Sequence, residues 1–394
     1  MKKLSLYIHI PFCSGKCPYC DFYSVKAGEK IHAAYTDALI KQMKEYSLSA
    51  KGFDIDTIYI GGGTPTVIGI EQLSRLIKSI KANFDAARVS EFTVETNPAA
   101  IDAKGLKKLR KAGVNRLSLG LQSAHNKELK VLARKHDYSA FVECVENARA
   151  AGFDNVSVDV MYGLPTQTTA SFYETLKRVA DLAPEHISAY GLKIELGTPF
   201  HKNFTQIEPY MPNDDVWREM YFMCCDFLSK NGYNHYEISN FAKKGFECRH
   251  NLKYWQCGEY LGLGTGAHSY FGGSRFSFKK NIKAYIQSFK TSADRLESID
   301  VFDSGAYNLF DEHIQIKPNE RIGEYVMLSF RLKLGINKND FARLFLKDFD
   351  AMYYEKTAPF IRSGHIIKTL EGYALTLEGM LVSNYILSRI VEFG

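Results

Sequence analysis

Tyr7-Ile-His-Ile-Pro-Phe-Cys13-Ser-Gly-Lys-Cys17-Pro-Tyr-Cys20 is a stretch in which three cysteines stand at C-x3-C-x2-C spacing. Its first residues belong to an alternating apolar run, residues 4–10, that predicts a β-strand. Three thiolates in one short loop favour a soft metal centre. An iron–sulfur cubane normally takes four cysteines, so three leave one iron open. The stretch therefore predicts a site that binds a small ligand and performs chemistry.

The cysteine spacing resembles the signature of the radical S-adenosylmethionine (SAM) superfamily. In that family the open iron of a 4Fe–4S cluster binds the amino and carboxylate groups of SAM, and an electron from the cluster cleaves SAM to a 5′-deoxyadenosyl radical. The resemblance implies Cys13, Cys17 and Cys20 as the metal ligands. A zinc site is the alternative, but its fourth ligand would have to be Asp21 or His9, which are poor candidates.

The composition is that of an ordinary globular protein. The chain has 394 residues, 45% hydrophobic and 24% charged, with a net charge of +6 spread among scattered lysines and arginines. This charge gives no reason to expect nucleic acid as a partner. Eight cysteines without a signal peptide or a membrane-length apolar run predict a reducing cytoplasm. The five cysteines outside the motif are expected to be buried, inert thiols.

Strand-like and helical segments alternate through the first half of the chain. The predicted strands are residues 4–10, 57–60, 91–95, 116–119, 156–161 and 186–192. The predicted helices between them are residues 31–46, 70–84, 104–112, 139–150 and 171–181. This order predicts an α/β fold with a parallel sheet, open or curled into a partial (β/α)6 barrel. In such folds, functional residues gather at the C-terminal ends of the strands.

Polar residues do follow the predicted strands. The second strand runs into Gly61-Gly62-Gly63-Thr64, where glycines let the backbone approach a ligand closely. Later strands end near Glu95 and Gln122, Asp159 lies on the fifth, and Arg134 follows a short helix. Ionisable groups on apolar strands are costly unless they are partnered. Taken singly, each polar residue is interpreted as a cap or as a member of an ion pair, and the glycines are interpreted as a tight turn. Taken together, these residues suit an adenosyl ligand.

The order and spacing of these residues resemble one branch of the superfamily, the oxygen-independent coproporphyrinogen III oxidase group. That match implies SAM-binding roles for nine positions, with Tyr19 against the adenine. The nine are Tyr7, Tyr19, Gly62, Gly63, Thr64, Glu95, Gln122, Arg134 and Asp159. The alternation of strands and helices stops near residue 197 and a mainly helical tail begins near residue 303, which predicts a radical SAM domain over residues 1–200, a connecting segment over 201–302 and a C-terminal domain over 303–394.

The chain from about residue 303 onward reads as a mainly helical, winged-helix-like unit. An amphipathic helix is predicted over residues 323–334, a hairpin over 366–377 and a closing helix over 378–390. The unit lacks a basic recognition face, so it is interpreted as a lid or partner-docking module. The Gly-x-Gly-x-Gly run at 262–266 lacks a dinucleotide-binding context and predicts close backbone packing.

Two functions compete within the resemblance: the oxidase, which decarboxylates propionates, and the HemW-type haem chaperone. The oxidases usually carry a cysteine where this chain has Phe22, and a long segment ahead of the cluster where only twelve residues precede Cys13. The motif His250-Asn-Leu-Lys-Tyr-Trp255 matches a His-Asn-x-x-Tyr-Trp pattern associated with haem binding in HemW proteins. The chaperone is therefore expected, without oxidase activity. An electron donor for the cluster and a haem acceptor, such as a respiratory membrane protein, are the expected partners.

His250 is the predicted axial haem ligand, since imidazole is a common ligand of haem iron. Without the resemblance, a core histidine packed beside two aromatic residues is the preferred interpretation. The nearby Cys248, Cys257 and His268 stay open as alternative ligands. A monomer or a homodimer is expected.

Overall fold

The computed structural model describes residues 2–291 and 309–391. Its strands are β1 (Lys2–Ile10), β2 (Phe53–Gly62), β3 (Glu91–Thr96), β4 (Arg116–Gln122), β5 (Val156–Tyr162), β6 (His186–Gly191), β7 (Asn234–Glu237), β8 (Asn240–Ala242), β9 (Tyr260–Leu263), β10 (His268–Phe271), β11 (Ser274–Phe278), β12 (Phe310–Gln315), β13 (Ile336–Asn337), β14 (Ile366–Lys368) and β15 (Gly372–Leu375). Its α-helices are α1 (Glu29–Tyr46), α2 (Ile70–Asn83), α3 (Ala103–Lys111), α4 (Asn126–Val131), α5 (Tyr138–Ala150), α6 (Thr169–Asp181), α7 (Pro199–Lys202), α8 (Phe204–Ile207), α9 (Asp214–Lys230), α10 (Arg249–Trp255), α11 (Ile282–Thr291), α12 (Pro318–Ser329), α13 (Lys338–Phe345), α14 (Phe349–Arg362), α15 (Leu377–Leu381) and α16 (Ser383–Ile390). The domain boundary predicted at 302/303 falls outside the described residues.

The first six strands form the parallel centre of a large sheet. Within the described residues, the twelve strands of this sheet follow the order β12-β11-β10-β9-β1-β2-β3-β4-β5-β6-β8-β7. Neighbours from β1 to β6 pair in parallel, in chain order. The predicted α/β fold is confirmed. Because these strands run in parallel, all their C-terminal ends lie at one edge of the sheet and all their N-terminal ends at the other.

Strands from the second half of the chain extend both sides of this centre. On one side β9 pairs in parallel with β1, and β10, β11 and β12 continue the sheet as antiparallel strands. On the other side β8 pairs antiparallel with β6, and β7 pairs with β8. The glycine run follows the predicted close packing: a Cβ on Gly262 would meet the carbonyl oxygen of His268 at 2.0 Å.

The C-terminal unit corrects two predicted helices. The helix expected over residues 323–334 is α12, which begins at Pro318 and ends at Ser329. Proline suits the first turn of a helix because its missing N–H is not needed there. The closing helix is interrupted at Val382, which separates α15 from α16. The predicted hairpin is present as β14 and β15.

In the two described ranges, none of the helices is both long enough and apolar enough to cross a bilayer.

Candidate functional site

The cysteine loop follows β1 and is closed at its base by backbone hydrogen bonds. The N–H of Cys13 donates to the carbonyl of Val25 at 3.1 Å, and the N–H of Val25 donates to Pro11 at 2.9 Å. The N–H of Thr64, in the glycine turn after β2, donates to the carbonyl of Phe12 at 2.8 Å. The glycine turn and the base of the loop are therefore held against each other at the C-terminal edge of the sheet.

The three thiols of this loop are partly exposed and face polar groups. The Sγ of Cys13 lies 3.6 Å from the Oγ1 of Thr64, and Arg134 donates from Nη1 to the Sγ of Cys17 at 3.8 Å. A guanidinium thus lies beside one of the three predicted metal ligands. Burial, together with the charges of the other two cysteines, raises the pKa of Cys20. Metal binding at this loop must therefore release a proton from Cys20.

In the described part of the chain, no group of three or more His, Cys, Asp or Glu side chains is placed to hold one metal ion. A zinc site of the closed type gathers its ligands around one ion. A cubane differs because each cysteine binds a separate iron, which places the sulfurs further apart than around a single ion.

A cavity of about 480 Å³ opens beside the loop, at the C-terminal edge of the parallel strands. This volume lies within the range of small-molecule sites. Of the residues that the sequence predicted, the following line it: Cys13, Cys17, Tyr19, Cys20, Gly62, Gly63, Thr64, Glu95, Gln122, Arg134 and Asp159. Residues from four parallel strands and the cysteine loop thus meet in one cavity.

Glu95 is the best-defined acid of the cavity. Its Oε1 accepts a hydrogen bond from the hydroxyl of Tyr59 at 2.7 Å, and its Oε2 accepts one from the N–H of Gly62 at 3.0 Å. Burial, with a smaller effect from the charge of Asp159, raises the pKa of Glu95 to about 7. Near neutral pH the carboxyl group of Glu95 can therefore be either protonated or ionised, as a bound ligand requires.

The donor set of the cavity fits an amino-acid-like nucleoside. Asp159 accepts from Ser118 at 3.2 Å, and burial raises its pKa. Arg134 donates from Nη2 to the carbonyl of Gly120 at 2.6 Å, while its buried Nε has no hydrogen-bond partner. A buried donor without a partner is costly, and a ligand carboxylate would satisfy it. Gln122 has φ of 76° at the end of β4, and strain of this kind is common at functional sites.

Two of the predicted site residues lie outside this cavity lining. The hydroxyl of Tyr7 is 2.8 Å from Nδ1 of His9 on the same strand. His250 is fully buried, with Nδ1 2.8 Å from Oγ1 of Thr57 and Nε2 2.8 Å from the hydroxyl of Tyr254. Burial lowers the pKa of His250 to about 3. Since both ring nitrogens are occupied, His250 presents no free nitrogen to haem iron in this conformation, and the geometry favours the core histidine.

The helix that carries His250 closes the cavity from the N-terminal edge of the sheet. Glu91, the first residue of β3, accepts from the N–H groups of Arg249 and His250 at 2.8 and 3.0 Å. This carboxylate caps the N-terminus of α10, where its charge is favourable. The next residue, Asn251, lines the cavity. Helix α10, which carries the His-Asn-x-x-Tyr-Trp motif, therefore closes the N-terminal end of the cavity. We call this helix the plug of the partial barrel.

The alternative haem ligands lie in different environments. Cys248 is fully buried and donates to Glu91 at 3.5 Å, so it is tied to the same capping carboxylate. Cys257 is half-buried, and burial raises its pKa to about 11. His268 is exposed on β10. Of these candidates, His268 alone is exposed, and it does not line the cavity.

Sequence reasoning missed several residues of the cavity. They are Tyr59, Arg116, Ser118, Gly120, Met161, Ser188, Tyr190 and Asn251. A usable signal existed in β4, whose sequence Arg-Leu-Ser-Leu-Gly-Leu-Gln alternates polar or small residues with leucine. Successive residues of a strand point to opposite faces, so one face of β4 had to be polar. Asn251 belongs to the predicted His-Asn-x-x-Tyr-Trp motif, but no local signal placed it in this cavity.

Comparison with known proteins shows which families and folds the chain resembles. Residues 7–179 match the model of the radical SAM superfamily, and residues 316–382 match the HemN C-terminal domain. The solved coproporphyrinogen III oxidase (HemN) of Escherichia coli superposes with a TM-score of 0.84 at 26% identity, over 99% of this chain and 90% of that one.

Curated relatives give a closer match in sequence. Heme chaperone HemW of Lactococcus lactis is 32% identical over 99% of this chain and 98% of its own length. Heme chaperone HemW of Bacillus subtilis is 34% identical over 96% of this chain and 97% of its own length. By its cysteine loop, its cavity and these full-length matches, the chain belongs to the HemW family of radical SAM proteins.

Proposed function

We propose that the protein is a haem chaperone that binds a 4Fe–4S cluster, SAM and haem, and delivers haem to acceptor proteins. The observation that carries this proposal is the match to curated heme chaperones over nearly the whole of both chains. The cavity residue Phe22 agrees with it, because the related oxidases usually have a cysteine at that position.

Cys13, Cys17 and Cys20 would hold the cluster, which supplies an open iron and an electron when it is bound. The nearby chain has separate tasks. Arg134 lies beside the Sγ of Cys17 and keeps one buried N–H for a carboxylate. Glu95 offers a carboxylate to an ammonium or hydroxyl group. These contacts would orient an amino-acid-like nucleoside toward the loop; they do not decide whether SAM is cleaved.

The mouth of the cavity has surface that suits a flat macrocycle. Phe22 is 66% exposed and Tyr190 is 40% exposed, and both line the cavity. Aromatic rings bury a large area against an apolar ligand. Lys16 and Lys193, also in the lining, can face acidic groups of a ligand or of an electron-donor protein. We therefore propose that haem binds at the mouth of this cavity and not at the occupied imidazole of His250.

The C-terminal unit is proposed as the module that docks the haem acceptor. Leu334 is 86% exposed, Leu346 is 91% exposed and Leu370 is fully exposed, all within this unit. Exposed large apolar side chains are common at protein interaction sites. Leu346 also adopts a left-handed conformation with φ of 53°, which is unfavourable for leucine.

The test incubates the anaerobically reconstituted protein with SAM and either haem or coproporphyrinogen III. Stoichiometric haem uptake, followed by the Soret band and by transfer to a haem-free b-type cytochrome, is the expected result. Decarboxylated product would instead identify an oxidase. SAM cleavage with neither outcome would identify a radical SAM enzyme that acts on another substrate.

A further inference from the structure

A second pocket lies between the edge of the large sheet and the C-terminal unit. Its volume is about 310 Å³, at the small end of the range for small-molecule sites. Tyr270 of β10 and the turn at Gly273 form the wall on the sheet side, while the first turns of α12 and the end of α13 form the opposite wall. Most of the lining is apolar and comes from Tyr270, Ile316, Pro318, Ile322, Leu344 and Phe345.

This pocket is remote from the cysteine loop. Tyr270 pairs with Tyr260 of β9, and Tyr260 pairs with Ser5 of β1. Ser5 lies in the first half of β1, whereas the cysteine loop follows the end of that strand at Ile10. Among the described residues, the two cavities have no lining residue in common. Binding in this pocket can therefore be measured separately from binding in the large cavity.

Two cations, Arg321 and Lys347, line the pocket, and no acid lines it within the described residues. The guanidinium of Arg321 lies 6.0 Å from the centroid of the Phe345 ring. Burial raises the pKa of Tyr270, and the charge of Arg321 is the strongest effect that opposes this shift. The guanidinium therefore lies near both aromatic walls of the pocket.

Acids on or beside the elements of the pocket are held by other groups of the chain. Glu324 pairs with Arg275 at 2.6 Å, and the carboxylate of Glu320 accepts the N–H of Lys317 at 2.8 Å. The same holds for Glu259, Asp340 and Asp348. In residues 2–291 and 309–391, Arg321 and Lys347 form no ion pair and donate no side-chain hydrogen bond. The pocket thus combines apolar walls with two cations that lack an acidic partner.

We infer that this pocket binds a small carboxylate that has an apolar body. Arg321 and Lys347 face the carboxylate, because guanidinium and ammonium groups bind it through charge-assisted hydrogen bonds. Tyr270, Leu344 and Phe345 cover the apolar body, since aromatic and aliphatic side chains bury a large area against such a group. The ligand contacts the sheet and the C-terminal unit at the same time. This site is additional to the proposed function and does not depend on it.

The test measures the binding of naphthylacetate and of its neutral analogue naphthylacetamide to the full-length protein by calorimetric titration. The two probes have nearly the same shape and differ in charge. Naphthylacetate should bind about three- to tenfold more tightly, because ion pairs at partly exposed sites are weak. In Arg321→Met and in Lys347→Met, this ratio of affinities should fall toward one.

Leu344→Ala tests the apolar part of the site. The side chain of Leu344 is 46% exposed, so its loss should leave the fold intact, weaken the binding of both probes and keep their ratio. The matched control is Arg343→Met, because the side chain of Arg343 is 76% exposed, pairs with Asp340 and does not line the pocket. This control should bind both probes as the unmodified protein does.

Two results would overturn the inference. Equal affinity for the two probes in the unmodified protein, or binding of neither, means that the pocket recognises no carboxylate; haem uptake, which is measured separately, would still stand. An unchanged ratio in both Arg321→Met and Lys347→Met means that the carboxylate binds elsewhere. Thermal unfolding checks that each variant is folded, and if Arg321→Met is not, Lys347→Met decides.

Discussion

The two ends of the cavity are built in different ways. At the outer end, the cysteine loop and the glycine turn directly follow strands β1 and β2. At the inner end, Arg116 starts β4, and α10 comes from more than a hundred residues further along the chain. The outer end is therefore encoded by local spacing, and the inner end by contacts between distant segments. Clear local spacing can thus mark a chemical site, as in the cysteine loop, or a structural element, as in α10.

The largest effect is expected at the outer end. Replacing Cys13, Cys17 and Cys20 with alanine should abolish the cluster absorbance and essentially all bound iron, because thiolates are the ligands of such clusters. A matched control replaces three buried thiols of α5 and α9, Cys144, Cys224 and Cys225, and should keep its iron. Full iron content in the first variant would contradict the assignment of the loop.

His250→Ala tests the inner end as a structural plug. The change leaves Thr57 and Tyr254 without their buried partner and opens a small cavity, so it should lower the free energy of unfolding by about 3 kcal/mol. Denaturant titration measures the loss, and exposed His201→Ala is the control. Unchanged stability together with lost haem would instead restore His250 as the haem ligand.

The carboxyl group of Glu95 should make both stability and SAM binding at the outer end depend on pH. Its pKa of about 7 lies above the usual 4.5, so the unfolded chain releases this proton earlier than the folded chain, and the apo-protein loses stability as pH rises between these values. A SAM ammonium prefers the ionised carboxylate, so SAM affinity should rise about tenfold between pH 6 and 8. Glu95→Gln should flatten this profile in calorimetric titrations.

A profile that keeps its slope in Glu95→Gln would exclude this carboxyl as the titrating group.

Tyr59→Phe is expected to have the smallest effect. Tyr59 contacts residues at both ends of the cavity. The hydroxyl of Tyr59 donates to Glu95, and its ring lies 5.1 Å from that of His250. Removing this donor destabilises the ionised carboxylate, so the midpoint of the SAM profile should move up by about one pH unit. The same titration measures it. A midpoint that stays in place would show that the two ends are not coupled through Tyr59.

The centre of the fold could be predicted because buried parallel strands are nearly continuous apolar runs. This pattern located β1 to β6, and their order placed Glu95, Gln122 and Asp159 at one cavity. Short strands such as β9 escaped, since β9 pairs with β1 from the far half of the chain and has only four residues. Pro318 is a helix-start signal for α12, but the apolar periodicity indicated a start only at residue 323.

The inner end could not be predicted in the same way. Whether the imidazole of His250 is free or occupied depends on Thr57, which is 193 residues away along the chain. Arg116 begins a leucine-rich strand, where a charged residue gives no local sign of burial, yet the fold leaves it 2% exposed. In both residues the environment of the side chain is set by contacts with segments that lie far away along the chain.

The central claim is that three cysteines hold a cluster with one iron open to SAM. Electron paramagnetic resonance of the reconstituted, reduced protein, recorded with and without SAM, tests it most directly. We expect about four irons per chain and a cluster signal that changes when SAM is added. A protein that stays free of iron, or a cluster signal that SAM leaves unchanged, would contradict the account.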